Sequence, residues 1–131
     1  GGCFYFNFFS STSGILIKNN KFNYNNGLKG GVAFISSEGF PLIFDSNIFI
    51  GNMAWNFYSL EVHSYGGVYY LSEEASNYVT SISNQYKNNT SSNAGGVYSI
   101  NRGSVNETQS FFSGNRAENY IYGFLDFFKL S

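Results

Sequence analysis

The carboxylates of the chain could do chemistry only in close groups, because general acid–base catalysis and calcium binding both depend on grouped carboxylates. The chain has eight of them: Glu38, Asp45, Glu61, Glu73, Glu74, Glu107, Glu118 and Asp126. Only Glu73 and Glu74 are adjacent, and neighbouring side chains on a strand point to opposite faces. We therefore expect scattered acids and no catalytic residue.

Metal-binding and nucleophilic residues are equally sparse. His63 is the only histidine and Cys3 the only cysteine. They are far apart in sequence and do not have the spacing of a metal-ligand set, and Cys3 has no partner for an internal disulfide. The many serines and threonines are not accompanied by a nucleophile elbow. The sequence therefore predicts no metal site, no cofactor and no enzyme.

Aromatic residues in the segment 53–65 are the best candidates for recognition, because exposed aromatic rings bind sugars or proteins at little entropic cost. The candidate recognition residues are Trp55, Tyr58, His63 and Tyr65. The alternative is that Phe57 and Leu60 fold back and cover the side of the molecule.

Three Asn-x-Ser/Thr sequons are present. Those that begin at Asn88 and Asn89 overlap, and the third begins at Asn106. If the protein is secreted by a eukaryote, we expect Asn88 and Asn106 to be the N-glycosylation acceptors, because Asn89 belongs to a repeated column described below. The alternative is chance, since the chain is rich in Asn, Ser and Thr.

Composition narrows the class of protein. Charged residues make up only 11% and the net charge is -1, which disfavours nucleic acid as a partner. Aromatic residues make up 21%, too much for a disordered chain. No apolar run approaches the roughly 18 residues of a membrane span.

Paired glycines recur along the chain and mark the repeating units that must position these residues. The pairs are Gly1-Gly2, Gly30-Gly31, Gly66-Gly67 and Gly95-Gly96, and the last three are followed by Val. Because the chain opens on such a pair, we expect it to be a segment of a longer protein. Repetition at this period predicts a solenoid.

An eleven-residue module recurs between the glycine pairs, at 15–25, 42–52, 79–89 and 105–115. Its first column is apolar: Ile15, Leu42, Val79 and Val105. Its sixth is Asn20, Asn47, Asn84 and Ser110. Its eighth is aromatic: Phe22, Phe49, Tyr86 and Phe112. Its last is Asn25, Asn52, Asn89 and Asn115.

Identical columns predict an all-β, right-handed parallel β-helix of about four and a fraction rungs, in which like residues stack about 4.8 Å apart. The apolar and aromatic columns are expected to be core stacks, and the Asn columns hydrogen-bonded ladders at turns. We expect one domain over 1–131, with repeats at 1–29, 30–65, 66–94 and 95–122 and a partial fifth rung at 123–131.

The strand after each glycine pair has two uniform columns three residues apart, one beginning at Cys3 and Val32 and the other at Phe6 and Ile35. A straight strand cannot turn both to one face. A corner or bulge is therefore predicted between them, and which column faces inward stays open.

The repeats resemble those of the chlamydial polymorphic outer-membrane proteins and of similar right-handed β-helix surface proteins in bacteria and ciliates. The matching residues are Gly30-Gly31-Val32, Gly66-Gly67-Val68 and Gly95-Gly96-Val97, with Phe22/Asn25, Phe49/Asn52 and Phe112/Asn115. Cys3 and Tyr86 depart from the pattern. The resemblance implies surface display and adhesion, with no shared catalytic residue.

The sequence thus predicts a non-enzymatic structural or adhesive solenoid, extracellular or on the cell surface, as part of a surface fibre or a longer surface protein. Expected partners are other copies of the chain or further rungs stacked end to end, and surface glycans or proteins. The alternative is a carbohydrate-binding or carbohydrate-cleaving β-helix, which a row of aromatics and carboxylates along one outer face would favour.

Overall fold

The computed structural model describes residues 2–9, 13–38, 41–56, 63–73, 77–119 and 124–126. All regular elements of these residues are β-strands, and they form four sheets in which every pair of neighbours is parallel except one. The predicted all-β parallel β-helix is confirmed.

Each sheet takes one strand from each turn of the solenoid. Sheet A holds β1 (Phe4–Phe9), β5 (Ala33–Glu38), β9 (Tyr69–Leu71) and β13 (Tyr98–Ile100). Sheet B holds β2 (Ile15–Lys18), β6 (Pro41–Asp45), β10 (Asn77–Ile82) and β14 (Gly103–Thr108). Sheet C holds β3 (Lys21–Asn23), β7 (Ile48–Ile50), β11 (Gln85–Lys87) and β15 (Phe111–Ser113). Sheet D holds β4 (Asn26–Gly27), β8 (Met53–Ala54), β12 (Thr90–Ser91), β16 (Arg116–Asn119) and β17 (Phe124–Asp126).

We call four successive strands, one from each sheet, a rung; rung 1 is β1 to β4 and rung 4 is β13 to β16. The register of the sheets follows the columns of the eleven-residue module. Leu42 pairs with Ile15 on one side and Val79 on the other, and Phe49 pairs with Phe22 and Tyr86 in the same way. Equivalent residues of successive rungs therefore lie directly above one another.

The corner between sheets B and C is made by one residue per rung with left-handed backbone, namely Asn19, Ser46, Ser83 and Gln109. The corner between sheets C and D is made in the same way by Tyr24, Gly51, Asn88 and Gly114. The repeated Asn columns lie at these turns, as the sequence predicts, but their residues do not take the left-handed conformation themselves. Instead each of those residues follows a left-handed one, which turns its amide toward the neighbouring rungs.

The pair Gly66-Gly67 solves two steric problems at the corner between sheets D and A. Gly66 has φ +69°, a conformation that costs a residue with a Cβ free energy. Gly67 has no such φ, but a Cβ there would lie 2.1 Å from the carbonyl oxygen of Gly96 in the next rung. The first glycine thus makes the bend, and the second allows the backbones to stack closely.

A bulge follows the glycine pairs of the first three rungs and answers the question of which column faces inward. The N–H groups of Val68 and Tyr69 both donate to the carbonyl oxygen of Val97, at 3.0 and 2.9 Å. Two successive donors on one acceptor shift the alternation by one residue. Val68 and Leu71, three residues on, are therefore both buried.

The C-terminal strand departs from the expected fifth rung at 123–131. β17 pairs with β16 in antiparallel register, Ala117 with Asp126 and Asn119 with Phe124, whereas a further rung would pair in parallel. The described part of that segment, 124–126, therefore folds back along the edge of sheet D; the remainder lies outside the described residues.

Candidate functional site

The interior changes from apolar to polar along one column of sheet B. Ile17 and Phe44 are buried in rungs 1 and 2, and Phe44 pairs with Ser81 in rung 3, which pairs with Glu107 in rung 4. Glu107 is half-buried, because no strand of sheet B covers β14 on its other side among the described residues. A carboxyl group therefore points into the core at one end of the column.

Three buried tyrosines bring their hydroxyl groups to this carboxyl. Tyr98 contacts one carboxyl oxygen of Glu107 in a short hydrogen bond, and Ser81 donates to the other at 2.8 Å. The hydroxyl of Tyr86 lies 2.7 Å from Ser81 and 3.0 Å from Tyr98, and that of Tyr69 lies 3.3 Å from Tyr86. We call these five residues the Glu107 network.

Burial controls the protonation of the network. Desolvation raises the pKa of Glu107, while the hydroxyl donors Ser110, Tyr98 and Ser81 oppose that rise by favouring the carboxylate. Burial also raises the pKa of Tyr69 and Tyr98 well above the usual value of tyrosine, and that of Tyr86 with them. All three tyrosines are therefore neutral at physiological pH.

The Asn column at the corner of sheets C and D forms a continuous hydrogen-bonded ladder. The backbone N–H and side-chain amide of Asn25 both donate to Oδ1 of Asn52, at 3.0 and 2.9 Å. Asn52 donates to Asn89 in the same way, and Asn89 to Asn115. The second amide hydrogen of Asn52 goes back to the carbonyl of Phe22. Every polar atom of the buried Asn52 side chain is thus satisfied.

The second ladder, at the corner of sheets B and C, joins the Glu107 network. Asn20 donates its backbone N–H to Oδ1 of Asn47, and Asn47 donates to Oδ1 of Asn84. Asn84 then donates to the hydroxyls of Ser110 and Ser81, at 3.0 and 2.7 Å. The interior network is therefore connected to the ladder.

The aromatic column is a single stack of parallel rings. Centroid distances are 5.0 Å from Phe22 to Phe49, 5.0 Å from Phe49 to Tyr86 and 4.8 Å from Tyr86 to Phe112. Phe49 and Tyr86 are completely buried, while Phe22 and Phe112 are half-buried at the two ends. The apolar column beside it follows the same order: Leu42 and Val79 are buried, and Ile15 and Val105 are partly buried.

Two described carboxylates outside the network, Asp45 and Glu118, make separate ion pairs. Asp45 bonds Lys18 of the neighbouring rung at 2.7 Å and its own neighbour Ser46 at 2.7 Å, and these bonds lower the pKa of Asp45. Glu118 bonds Arg116 at 2.7 Å. Within the described ranges no group of three or more His, Cys, Asp or Glu side chains could hold a metal ion.

Only part of the candidate recognition segment lies in the described residues, and Tyr58, Phe57 and Leu60 fall outside them. Trp55 is half-buried and its backbone N–H donates to the carbonyl of Gly27. Tyr65 is half-buried and bridges to Lys29 and Ala94 in the rungs on either side, while His63 is exposed. Tyr65 therefore belongs to the body of the solenoid rather than to a protruding loop.

A row of aromatic rings that the sequence reasoning did not identify lies on the outer face of sheet A. Tyr5 stacks on Phe34 at 5.0 Å, and Phe34 on Tyr70 at 5.3 Å. Tyr65 lies 6.1 Å from Tyr70, and the ammonium group of Lys29 sits over the Tyr70 ring. Tyr70 is only 4% exposed and Phe34 is half-buried, so Tyr5, which is 64% exposed at the end of the row, is its main exposed ring.

The three sequon asparagines occupy different environments. Asn89 is buried in the ladder, Asn88 is exposed at the left-handed corner, and Asn106 is exposed on the outer face of β14. Glycosylation of Asn88 and Asn106 stays a prediction.

A scan against protein-family models, a search of curated proteins and a search of solved structures each find no match for this chain. The family resemblance of the repeats is therefore unsupported by these comparisons. None of the described residues forms a helix with the length and hydrophobicity needed to cross a membrane.

The Glu107 network was missed from the sequence, although a signal for it was present. Val105 belongs to an inward-facing column, and strand alternation places residue 107 on the same face as residue 105. The same rule predicts that the Asn106 side chain points outward, and in the structure that side chain is exposed. The positions of Tyr69 and Tyr98 required the bulge, which the sequence indicated without fixing its place.

Proposed function

We propose that the chain is a non-enzymatic structural segment of an extracellular or cell-surface β-helix, whose rigid rungs are extended end to end by further rungs or by other copies of the chain. The observation that carries this proposal is the continuity of the Asn ladder and the ring stack through all four rungs. Such a core resists bending and supplies no catalytic group. The resemblance to surface β-helix repeats points the same way.

Free strand edges provide the means of extension. The N–H of Ile48 donates back to rung 1 through the carbonyl of Asn20, and Gln85 and Phe111 repeat this bond at each later rung. Lys21 is the equivalent residue of rung 1, and β3 is the last strand of sheet C on that side among the described residues. Its N–H is thus directed toward the position of a preceding rung, where an unpaired edge readily accepts another strand.

A proline at this edge tests the proposal. Lys21→Pro removes the outward N–H while leaving the bonds from rung 2 in place, and Lys21→Ala is the matched control. Electron microscopy and light scattering of the native chain should show rods longer than one chain, absent in Lys21→Pro and present in Lys21→Ala. A native chain that stays monomeric at all concentrations contradicts self-assembly, and a longer natural protein whose adjoining sequence does not continue the rungs contradicts end-to-end extension altogether.

A second candidate, a carbohydrate-binding β-helix, is favoured by the outer aromatic row of sheet A. Sugars stack on aromatic rings, and the largely exposed ring of Tyr5 supplies such a contact. The mutual stacking of Phe34 and Tyr70 limits the available area. Binding to a glycan array that is lost in Tyr5→Ala and kept in Tyr24→Ala, another exposed tyrosine, would establish this function; no binding by the native chain rejects it.

A further inference from the structure

Four groups of the Glu107 network form a closed ring of hydrogen-bonding contacts. The ring runs from one carboxyl oxygen of Glu107 to Tyr98, on to Tyr86 at 3.0 Å, to Ser81 at 2.7 Å, and back to the other carboxyl oxygen at 2.8 Å. Tyr69 adds a branch to Tyr86 at 3.3 Å. The five residues thus make five contacts between oxygen atoms.

Counting hydrogen atoms decides the charge of the ring. Each contact needs one hydrogen between its two oxygens, and each hydroxyl group has one to give. The hydroxyls of Tyr69, Tyr86, Tyr98 and Ser81 supply four, and a carboxylate supplies none. With Glu107 ionised, one of the five contacts would bring two lone pairs together.

A neutral carboxyl group supplies the fifth hydrogen. Glu107 then donates to Tyr98, Tyr98 to Tyr86, Tyr86 to Ser81, and Ser81 to the second oxygen of Glu107, while Tyr69 donates to Tyr86. Ser81 still accepts from the amide of Asn84. Every contact is a hydrogen bond in this arrangement, and no group exceeds its capacity.

We propose that Glu107 is a proton-binding site of the folded protein, which holds its carboxyl as the neutral acid, and that loss of this proton weakens rung 4. Because Glu107 lies at one end of the core, we expect loss of its proton to destabilise mainly rung 4. Ionisation would break one contact of the ring and leave a charge beside Tyr86 and Tyr98, in surroundings that desolvate it.

No described side chain supplies a positive charge to counter this. The groups that act on the Glu107 carboxyl are the hydroxyls of Ser81 on β10, Tyr98 on β13 and Ser110 before β15, with Tyr69 and Tyr86 behind them. The described cations of rungs 3 and 4 are engaged or exposed: Lys87 of β11 lies over the outer ring of Phe111, Arg116 of β16 pairs with Glu118, and Arg102 before β14 is exposed.

The sign of the pH effect follows from the raised pKa of Glu107. In the unfolded chain the carboxyl titrates near its ordinary value of 4.5. The proton therefore stabilises the fold fully below pH 4.5, and that stabilisation is lost as pH rises through the higher pKa of the folded state.

Carbon-13 NMR of the glutamate carboxyl groups measures this proton directly. We expect one carboxyl in the native chain to titrate above 4.5 and above the others, to be missing in Glu107→Gln, and to remain in Glu73→Gln, where the replaced side chain is exposed. A folded native chain in which every glutamate titrates at or below its ordinary value overturns the proposal, and this readout requires no variant to fold.

Tyr86→Phe separates the ring from burial alone, because it leaves both donors to the Glu107 carboxyl in place. Without the Tyr86 hydroxyl, Tyr98 and Ser81 each have one hydrogen for their contact with Glu107, so the demand for a carboxyl proton disappears and the pKa of Glu107 should fall toward 4.5. We also expect the unfolding midpoint of the native chain to decline with rising pH, and that of Glu107→Gln not to. A pKa of Glu107 that stays or rises in Tyr86→Phe contradicts the ring.

Discussion

The two halves of the solenoid have the same backbone and different interiors. In rungs 1 and 2 the inward columns carry Phe44 and Phe49, and in rungs 3 and 4 the same columns carry Ser81, Tyr86 and Glu107. The register does not change at the boundary, because stacked Asn amides and strand pairs set it in both halves. The polarity of the core can therefore change from rung to rung within a column while the geometry of the coil stays the same.

Polar atoms enter the second half in a group rather than singly. The hydroxyl of Tyr86 has three oxygen neighbours, in Tyr69, Tyr98 and Ser81. A single buried hydroxyl without a partner would cost free energy, whereas a connected set satisfies its members. Stability in the first half therefore comes from apolar packing and in the second from packing together with hydrogen bonds.

Loss of a ring from the apolar half should have the largest effect. Phe49→Ala removes the centre of the ring stack and is expected to lower the free energy of unfolding by about 3–5 kcal/mol, equally at all pH values where the chain folds. Phe111→Ala, at a 56% exposed ring, is the control and should cost far less. Urea denaturation of both variants measures the difference; similar losses would mean that the stack does not carry the core.

Interruption of the ladder should come next and should affect both halves together. Asn52→Leu leaves the backbone N–H of Asn25 and the carbonyl of Phe22 without their partner, for a cost on the order of 3 kcal/mol. Asn23→Leu changes an exposed asparagine of the neighbouring rung 1 and should stay within about 0.5 kcal/mol of the native chain. Equal melting temperatures for the two variants would refute a stabilising ladder.

Removal of one hydroxyl tests the polar half alone. Tyr86→Phe keeps the ring in its stack, where phenylalanine already occurs above and below, and should cost about 1–3 kcal/mol because Tyr69 and Ser81 lose a common partner. Tyr78→Phe, at an exposed tyrosine, is the control. An unchanged unfolding midpoint for Tyr86→Phe would show that the hydroxyl network adds nothing to packing.

The smallest effect should come from the surface of the apolar half. The pKa of Asp45 is lowered by its hydrogen bonds to Lys18 and Ser46, so its contribution is present above the ordinary value of 3.8 and is lost as pH falls through the lower folded value. Asp45→Asn should remove only this acid-side decline, measured as the melting temperature against pH. Because the carboxyl is exposed to solvent, the change should be smaller than in Tyr86→Phe.

These two carboxyls give the halves opposite responses to pH. Asp45 favours the folded state toward higher pH, and Glu107 favours it toward lower pH. If Asp45→Asn removes only the loss of stability toward low pH, and Glu107→Gln removes only the loss toward high pH, each response belongs to its own half. A change of both responses in either variant would contradict that separation.

The fold was predictable because residues of the same type recur in each column, and in a parallel β-helix equivalent residues of successive rungs stack on one another. The ladder residues and the ring stack followed from the same columns. The backbone at the corners did not, because left-handed positions are filled by residues as different as Asn19, Tyr24 and Ser46, whose side chains give no common signal. The antiparallel return of β17 was also hidden, since its sequence resembles the start of another strand after a glycine.

The Glu107 network was the least accessible from sequence. Its members come from three columns and three sheets, and they meet only because Tyr69 and Tyr98, each next to the buried Val that follows a glycine pair, also face inward. Repetition reveals what successive rungs share, whereas this network consists of the positions at which the later rungs differ from the earlier ones.

The Asn ladder has a direction, and that direction restricts the symmetry of any assembly. Each side-chain oxygen accepts from the rung before it, and each backbone N–H donates to the rung after it. Two solenoids joined by a two-fold axis would bring acceptor against acceptor or donor against donor. A ladder that continued into a second copy would therefore need a heterologous contact, and such contacts, where they do not close into a ring, give a polar fibre with two chemically distinct ends.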